Sequence, residues 1–292
     1  MKKFEEIYNE IMDSDAKEFI KKRKIFTMLA FIIYPAFIMF LISSIKQADL
    51  SLTNLGIIIF GVFGIFIITM RAKMVKEYKK KIISKFLKSI NESFDIYPEK
   101  GIDSKSYKQS GFKMGNKYSA TDLIVGKLEN DLLVQMSDIN VKDERKSEDG
   151  TKIENLLFKG LFLRVDFKNK IDKPIKLLKN EKRLMKNNLK IDNPDFEKIY
   201  DIYAENELQA FQLYTLDVME KLLKFKEKNK LCPEIIVKES DLYIRIAAEQ
   251  LFEPTVTGFD FDKERLELYY EIIKLVDEIS NHLLNTIMNE IL

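Results

Sequence analysis

The distribution of apolar and charged positions divides the chain into a membrane-like beginning and a water-compatible remainder. Positions 25–45 and 50–70 are two uncharged apolar runs joined by a short polar link. At about 1.5 Å of rise per residue each run makes roughly 30 Å of helix, the thickness of a bilayer's hydrocarbon core. The pattern predicts a transmembrane helical hairpin. The competing reading, two buried core helices, fits the length of the runs and the charges at their ends less well.

Those charges predict an orientation. Lys21, Lys22, Arg23 and Lys24 abut the first run, and Arg71, Lys73, Lys76, Lys79, Lys80, Lys81, Lys85 and Lys88 follow the second, whereas only Lys46 and Asp49 lie between. Short basic flanks stay on the cytoplasmic side, so both termini are expected in the cytoplasm, with link 46–54 outside and the hairpin in the inner membrane. The same basic residues are expected to meet anionic lipid headgroups, each contributing on the order of 1 kcal/mol. A solvated helix face is the plainer reading of the lysine-rich stretch after position 70. Pro35 is tolerable inside a span, where it would kink the helix. Gly56, Gly61 and Gly64 would allow close helix approach, but their spacing is not GxxxG. A cleaved signal peptide is not expected: the first run is long, it lacks a small-x-small site, and a charged segment precedes it.

The remaining pattern alternates between helical and strand periods. Phe4, Ile7, Tyr8 and Ile11 share one face of a short amphipathic helix, which would lie on lipid or on protein. Asp15 and Glu18 have the spacing of a cap for the next helix. Beyond the second span Val75, Tyr78, Ile82, Phe86 and Ile90 continue a helical stripe as a stalk, closed by Tyr97 and Pro98. Strands follow at 123–128 and 132–136 around a turn of Glu129, Asn130 and Asp131, then along 157–167, with charged residues 142–152 expected as an exposed loop. Asn193 and Pro194 read as an N-cap and first helical residue, and Thr215 as the cap of a helix carrying Leu216, Met219, Leu222 and Leu223. A second hairpin is expected at 235–238 and 242–248, turning at Glu239, Ser240 and Asp241. From Asp262 the tail is helical, with Leu266, Tyr269, Ile273, Val276, Leu283 and Ile287 on one stripe and Leu268, Ile272, Leu275 and Ile279 beside it. So wide an apolar surface needs cover, from the domain or from a second copy in a homo-oligomer. The expected class is α+β, in five parts: a cytoplasmic amphipathic helix at 1–24, the transmembrane hairpin at 25–70, a helical stalk at 71–97, a cytoplasmic domain of antiparallel β-hairpins and packed helices at 98–261, and a C-terminal helix at 262–292.

Several blocks in order resemble one known family. They are Tyr118-Ser119-Ala120-Thr121-Asp122-Leu123-Ile124-Val125-Gly126, then Leu157-Phe158-Lys159-Gly160-Leu161-Phe162 ending in Asp166-Phe167, then Asn193-Pro194-Asp195-Phe196-Glu197, and finally Leu242-Tyr243-Ile244 leading to Phe252-Glu253-Pro254. Together with the preceding hairpin they resemble the bacterial domain-of-unknown-function 3137 family. The resemblance implies a two-span inner-membrane protein with a cytoplasmic α+β domain, and it supplies no catalytic residues to carry over.

Composition narrows the chemistry further. In 292 residues there are 48 Lys and Arg against 46 Asp and Glu, a net charge of +2, so a nucleic-acid partner is not expected. About 220 residues beyond position 70 suffice for one sizeable core. The single cysteine, Cys232, excludes an intramolecular disulfide and agrees with a reducing compartment. His282 is the one histidine, which leaves no histidine-based triad or multi-histidine metal site within a chain. Cys232 is read as a small buried hydrophobe and His282 as a packing or surface residue. Asp138, Asp143, Glu144, Glu148 and Asp149 lack the order of a calcium loop. Gly126 and Gly160 lie within strand patterns and mark a bulge or a close backbone approach. No phosphate loop or metalloprotease motif is present, and no cofactor is expected. Two functions remain: a membrane-anchored binding or scaffolding module with a protein partner at the membrane, or an enzyme acting on a lipid headgroup or nucleotide through carboxylates such as Asp122, Asp166 or Glu253.

Overall fold

A computed structural model of the chain describes residues 2–13, 15–47, 50–147, 149–180, 188–248, 251–255 and 261–289. They form two compact units: Lys2–Phe86 with Glu253–Lys263, and Leu87–Phe252 with Glu264–Leu292.

The first unit is helical. Helix α1 (Phe4–Met12) buries Phe4, Ile7 and Ile11, and Tyr8 lies 6.2 Å from the ring of Phe261, so the apolar face of this helix is covered by protein. Helix α2 (Asp15–Gln47) begins at Asp15, which is therefore the first helical residue and not the cap. Helix α3 (Leu50–Glu77) packs beside α2, where the rings of Phe37 and Phe40 meet Phe60 at 4.9 and 5.4 Å. Of the three glycines expected to bring the spans together, only Gly56 does so: a Cβ there would collide with Phe40, whereas Gly61 and Gly64 face open space. The helix continues through a π-helical turn, Tyr78–Ile83, into α4 (Ser84–Ile90), and buries Tyr78, Ile82, Ile83 and Phe86 on the way. The stalk stripe thus ends at Ile90 and not at Tyr97, because Asp95–Tyr97 is a strand.

The second unit is α+β, built on an antiparallel sheet of seven strands among the described residues. Its members are β1 (Asp95–Tyr97), β2 (Lys117–Lys127), β3 (Leu133–Lys146), β4 (Lys152–Lys179), β5 (Asn188–Leu189), β6 (Tyr200–Tyr203) and β7 (Glu234–Ile246). The path is β1-β2-β3-β4-β6-β5, and β7 lies along β4. The hairpin at Glu129, Asn130 and Asp131 forms as the sequence predicts: Lys127 pairs Leu133, and Asp131 takes a left-handed φ of 62°.

Two sequence expectations are corrected here. The charged stretch 142–152 is a loop only between Lys146 and Lys152, because β3 runs to Lys146 and β4 starts at Lys152. Cross-strand ion pairs explain this: Lys142 meets Glu154 at 2.6 Å, and Glu144 meets Lys117 and Lys152. Glu148 lies outside the described residues. The second hairpin is also absent, since β7 is one strand whose two halves both pair with β4, from Leu177 with Ile235 to Leu161 with Ile246. Glu239 takes a φ of 56° where β4 shifts register on either side of Ile171, so the polar tripeptide marks an irregularity in a ladder that keeps both sides of β7 on β4.

Packing follows from the alternation in β4. Leu161, Leu163, Val165 and Phe167 are buried on one face as expected, while Phe158 and Phe162 on the other join Tyr107, Phe112, Ile139, Val141 and Tyr243 in a core cluster. Tyr107 belongs to α5 (Ser104–Ser110), which Asp103 caps by accepting from the Ser106 amide at 2.7 Å. Gly160 has a φ of 150°, and a Cβ there would strike the Ile246 carbonyl, a close approach that only glycine permits. Asn193 caps α6 (Pro194–Glu197) by accepting from the Phe196 amide at 3.1 Å. Helix α7 (Glu207–Leu213) precedes α8 (Leu216–Asn229), where Thr215 holds the cap position without a capping side-chain hydrogen bond.

The tail is helix α9 (Lys263–Asn289), and its two stripes are covered: Leu266, Tyr269, Ile272, Ile273, Leu275, Val276, Ile279 and Leu283 are buried, while Leu268 is half-buried. Tyr269 stacks on Phe252 at 4.9 Å, Lys228 of α8 pairs with Glu267 at 2.8 Å, and the Glu129 amide donates to Asp277 at 2.9 Å. Ile287 lies outside the described side chains. Removing residue 269 onward should therefore expose the apolar surfaces that α9 covers, lowering the melting temperature of the detergent-solubilised protein or precipitating it. Unchanged melting and mass would show the tail to be dispensable.

Candidate functional site

The basic residues that flank the spans divide into three groups. Lys21, Lys24, Arg71, Lys73, Lys76, Lys80 and Lys81 are exposed, Lys22 is half-buried, and Arg23 and Lys79 are buried, at 4% and 7% exposure. Arg23 donates from Nη1 to the Thr255 carbonyl at 3.2 Å, and the Lys79 ammonium lies 3.9 Å from Glu253. Both partners belong to the segment that returns to the first unit, so these two cations fasten it. Lys22 joins the two spans through Glu77 at 2.8 Å while meeting Glu18 of its own helix at 2.9 Å, and Lys81 reaches Glu18 at 4.0 Å. A run of lysines in the sequence does not separate cations that hold the fold from those that face outward. Tertiary pairing separates them.

Above this collar, the stretches Ala16–Phe40 and Gly56–Ile90 are long and apolar enough to cross a membrane. Their apolar side chains stand outward: Phe31 is 72% exposed, Ile32 67%, Met39 66%, Ile65 65% and Ile68 68%. A core helix of a soluble domain would bury such residues, and a contiguous exposed surface of this kind marks contact with a membrane or a partner. The two helices point to membrane association.

The second unit holds its charges in pairs. Arg164 in β4 makes a two-point contact with Asp241 in β7, at 2.8 and 3.1 Å, and the Tyr243 hydroxyl donates to Asp241 at 3.0 Å. The hydrogen bond that Arg164 donates to Asp241 holds its guanidinium in the charged form, and burial, with Asp241 second, pushes the Tyr243 hydroxyl up. Arg245 pairs with Glu234, which also accepts from the Lys179 amide, and its guanidinium lies 4.4 Å from the Phe112 ring and 5.0 Å from that of Phe158. These clusters are visible in the sequence only as single arginines at inward positions of apolar strands.

The three carboxylates proposed for an enzyme are separately placed. Asp122 is buried at the irregular point of β2 with a φ of 57°, Asp166 stands opposite Asp241 in the ladder, and Glu253 belongs to the first unit beside Lys79. Asp143 accepts from Arg145, Asp149 accepts from the Thr151 amide at 3.0 Å, and no three of His, Cys, Asp or Glu converge as a metal site among the described residues. His282 bonds through Nε2 to the Gln212 carbonyl at 3.1 Å, fastening α9 to α7. Cys232 is half-buried, less enclosed than expected, and burial pushes its thiol up, which favours the unreactive protonated form.

Residues 156–284 match the family described as "Protein of unknown function (DUF3137)". No curated protein matches the chain. The chain is similar to the crystal structure of the mycobacterial trehalose monomycolate transport factor A, TtfA, at 12% identity and a TM-score of 0.38, over 67% of this chain and 90% of that one. A likeness of that size carries no argument about function.

Asp277 offers a test of how α9 is seated. Burial pushes its carboxyl above the ordinary value of 3.8, against the lowering effect of the Glu129 amide. The folded form therefore binds the proton more tightly than the unfolded chain, so the cost of ionisation is absent below the unfolded value and complete above the folded one. Asp277→Asn should gain stability relative to the parent as pH rises from about 4 towards neutrality, read as the difference in melting temperature. A difference that stays flat or reverses across this range would contradict the assignment.

Proposed function

We propose that this chain, which matches the DUF3137 family over residues 156–284, is an inner-membrane protein with both termini in the cytoplasm, and that its second unit is a binding or scaffolding module for a partner at the membrane. The observation that carries the reading is the pair of outward-facing apolar helices with exposed Lys21, Lys24, Arg71, Lys73 and Lys80 at the ends nearest the chain's charged parts. Positive flanks stay on the cytoplasmic side, and anionic headgroups attract them. Tethering by the hairpin confines the second unit to a thin layer beside the bilayer, which raises its effective concentration for a membrane partner. A sheet carrying helices offers surfaces for a peptide or protein segment.

Topology tests the first half. In a Cys232→Ser background, Ser51→Cys should react with a membrane-impermeant thiol reagent in intact cells and Lys146→Cys should not; reversed labelling would place the second unit outside. Chemistry tests the second half. Replacing His282 and Cys232 together with Ala should leave cellular function intact, because neither is placed for catalysis. Loss of function in a double variant that remains folded and membrane-inserted would revive the enzyme reading.

A further inference from the structure

The first unit contains a cleft of about 410 Å³ between the facing ends of α2 and α3, lined by Lys22, Phe66, Thr69, Met70, Lys73, Met74 and Glu77. Its position along α3 is informative. Ile65 and Ile68 are largely exposed and apolar, Arg71 and Lys73 are exposed and charged, and Met74 is buried. The cleft therefore straddles the level at which the outward apolar belt gives way to cations. In a bilayer that is the level of the lipid phosphates.

The walls and floor differ in chemistry. Phe66, Met70 and Met74 supply apolar wall on the membrane side, and methionine adapts its shape to a flexible chain. On the other side lies a set of balanced charges, in which Lys22 bonds Glu77 and Glu18 and Lys81 approaches Glu18. Two of the three N–H donors of Lys22 are thus engaged, which leaves one directed elsewhere. Lys73 has no ion-pair partner among the described residues, so it adds an unbalanced positive charge at the cleft mouth. Thr69 donates its hydroxyl to the Phe66 carbonyl at 2.9 Å, so this donor is satisfied within the helix.

We propose that this cleft binds one anionic phospholipid, its phosphate between Lys73 and the remaining donor of Lys22 and one acyl chain along Phe66, Met70 and Met74. The inference rests on the membrane reading above and deepens it by assigning a discrete lipid site, where that reading requires only a diffuse attraction between lysines and headgroups. Charge complementarity selects the occupant: an apolar wall takes the chain, and a net positive mouth takes an anion.

The test uses the full-length protein in vesicles of phosphatidylcholine containing a minor fraction of phosphatidylglycerol, with a photoactivatable group on the acyl chain of either lipid in turn. Adducts should concentrate in residues 66–74 and come preferentially from phosphatidylglycerol. Lys73→Gln should reduce them about five-fold, the ratio corresponding to about 1 kcal/mol for one cation near an anionic lipid. Lys224→Gln, an exposed cation of α8 outside the cleft and away from the span ends, should leave them unchanged. Both side chains are exposed, and matching melting curves would confirm that both variants fold. Equal labelling by the two lipids, adducts spread evenly along both helices, or equal loss in the two variants would overturn the lipid site while leaving membrane insertion intact. Release of the unmodified protein from vesicles by alkaline carbonate would instead overturn the membrane reading itself, and the site with it.

Discussion

A helix that presents isoleucine and phenylalanine outward along most of its length is stable only where something other than water covers it. Backbone hydrogen bonds are satisfied within α2 and α3, so the remaining demand comes from side chains, and hydrocarbon meets it at no cost in unpaired polar groups. That demand orders the rest of the first unit. Cations gather where the apolar belt ends; some are withdrawn into the fold, as Arg23 and Lys79 are, and the others stay exposed. The Lys22 bridge to Glu18 and Glu77 then ties the two helices together at that level.

The second unit depends on a different organiser. Strand β4 is 28 residues long and pairs with β3 along its first half, with β6 near its end, and with β7 along much of its length. A strand buried on both faces needs its charged residues matched, and Arg164 with Asp241 and Arg245 with Glu234 supply the match. Such pairs are weak contributors to net stability, but removing one partner strands a buried charge. Arg164 with Asp241 fixes the register between β4 and β7, where a slip by one residue would separate that pair, whereas Arg245 with Glu234 ties two ends of β7 to each other.

Much of this was legible in the residues, and what was not has a physical cause. The spans, the Asn193 cap, the hairpin at 129–131 and the tail helix were readable because each depends on local chemistry or on a long period. The single strand β7 was not, because Glu239, Ser240 and Asp241 carry the composition of a turn, and only pairing with a distant strand keeps the residues on both sides of them on one partner. The same holds for 142–152, where opposite charges on neighbouring strands neutralise a segment that looks solvated when read alone. At the candidate site, sequence placed twelve basic residues at the ends of the two apolar runs but offered no means of separating Arg23 and Lys79 from the rest, since burial there depends on a segment more than 170 residues further along the chain. The cleft was equally invisible, because it needs α2 and α3 side by side.

The central claim is that α3 faces lipid up to the level of Arg71. Nitroxide labels placed one at a time at Ile58, Ile65, Ile68 and Lys73, in a Cys232→Ser background reconstituted into vesicles, measure it directly through relaxation by oxygen and by a water-soluble nickel chelate. The account expects the first three sites to be reached by oxygen and shielded from nickel, with the preference inverted at Lys73. Ready access of nickel to Ile58 and Ile65 would show that these side chains face water or protein, and the account would fail.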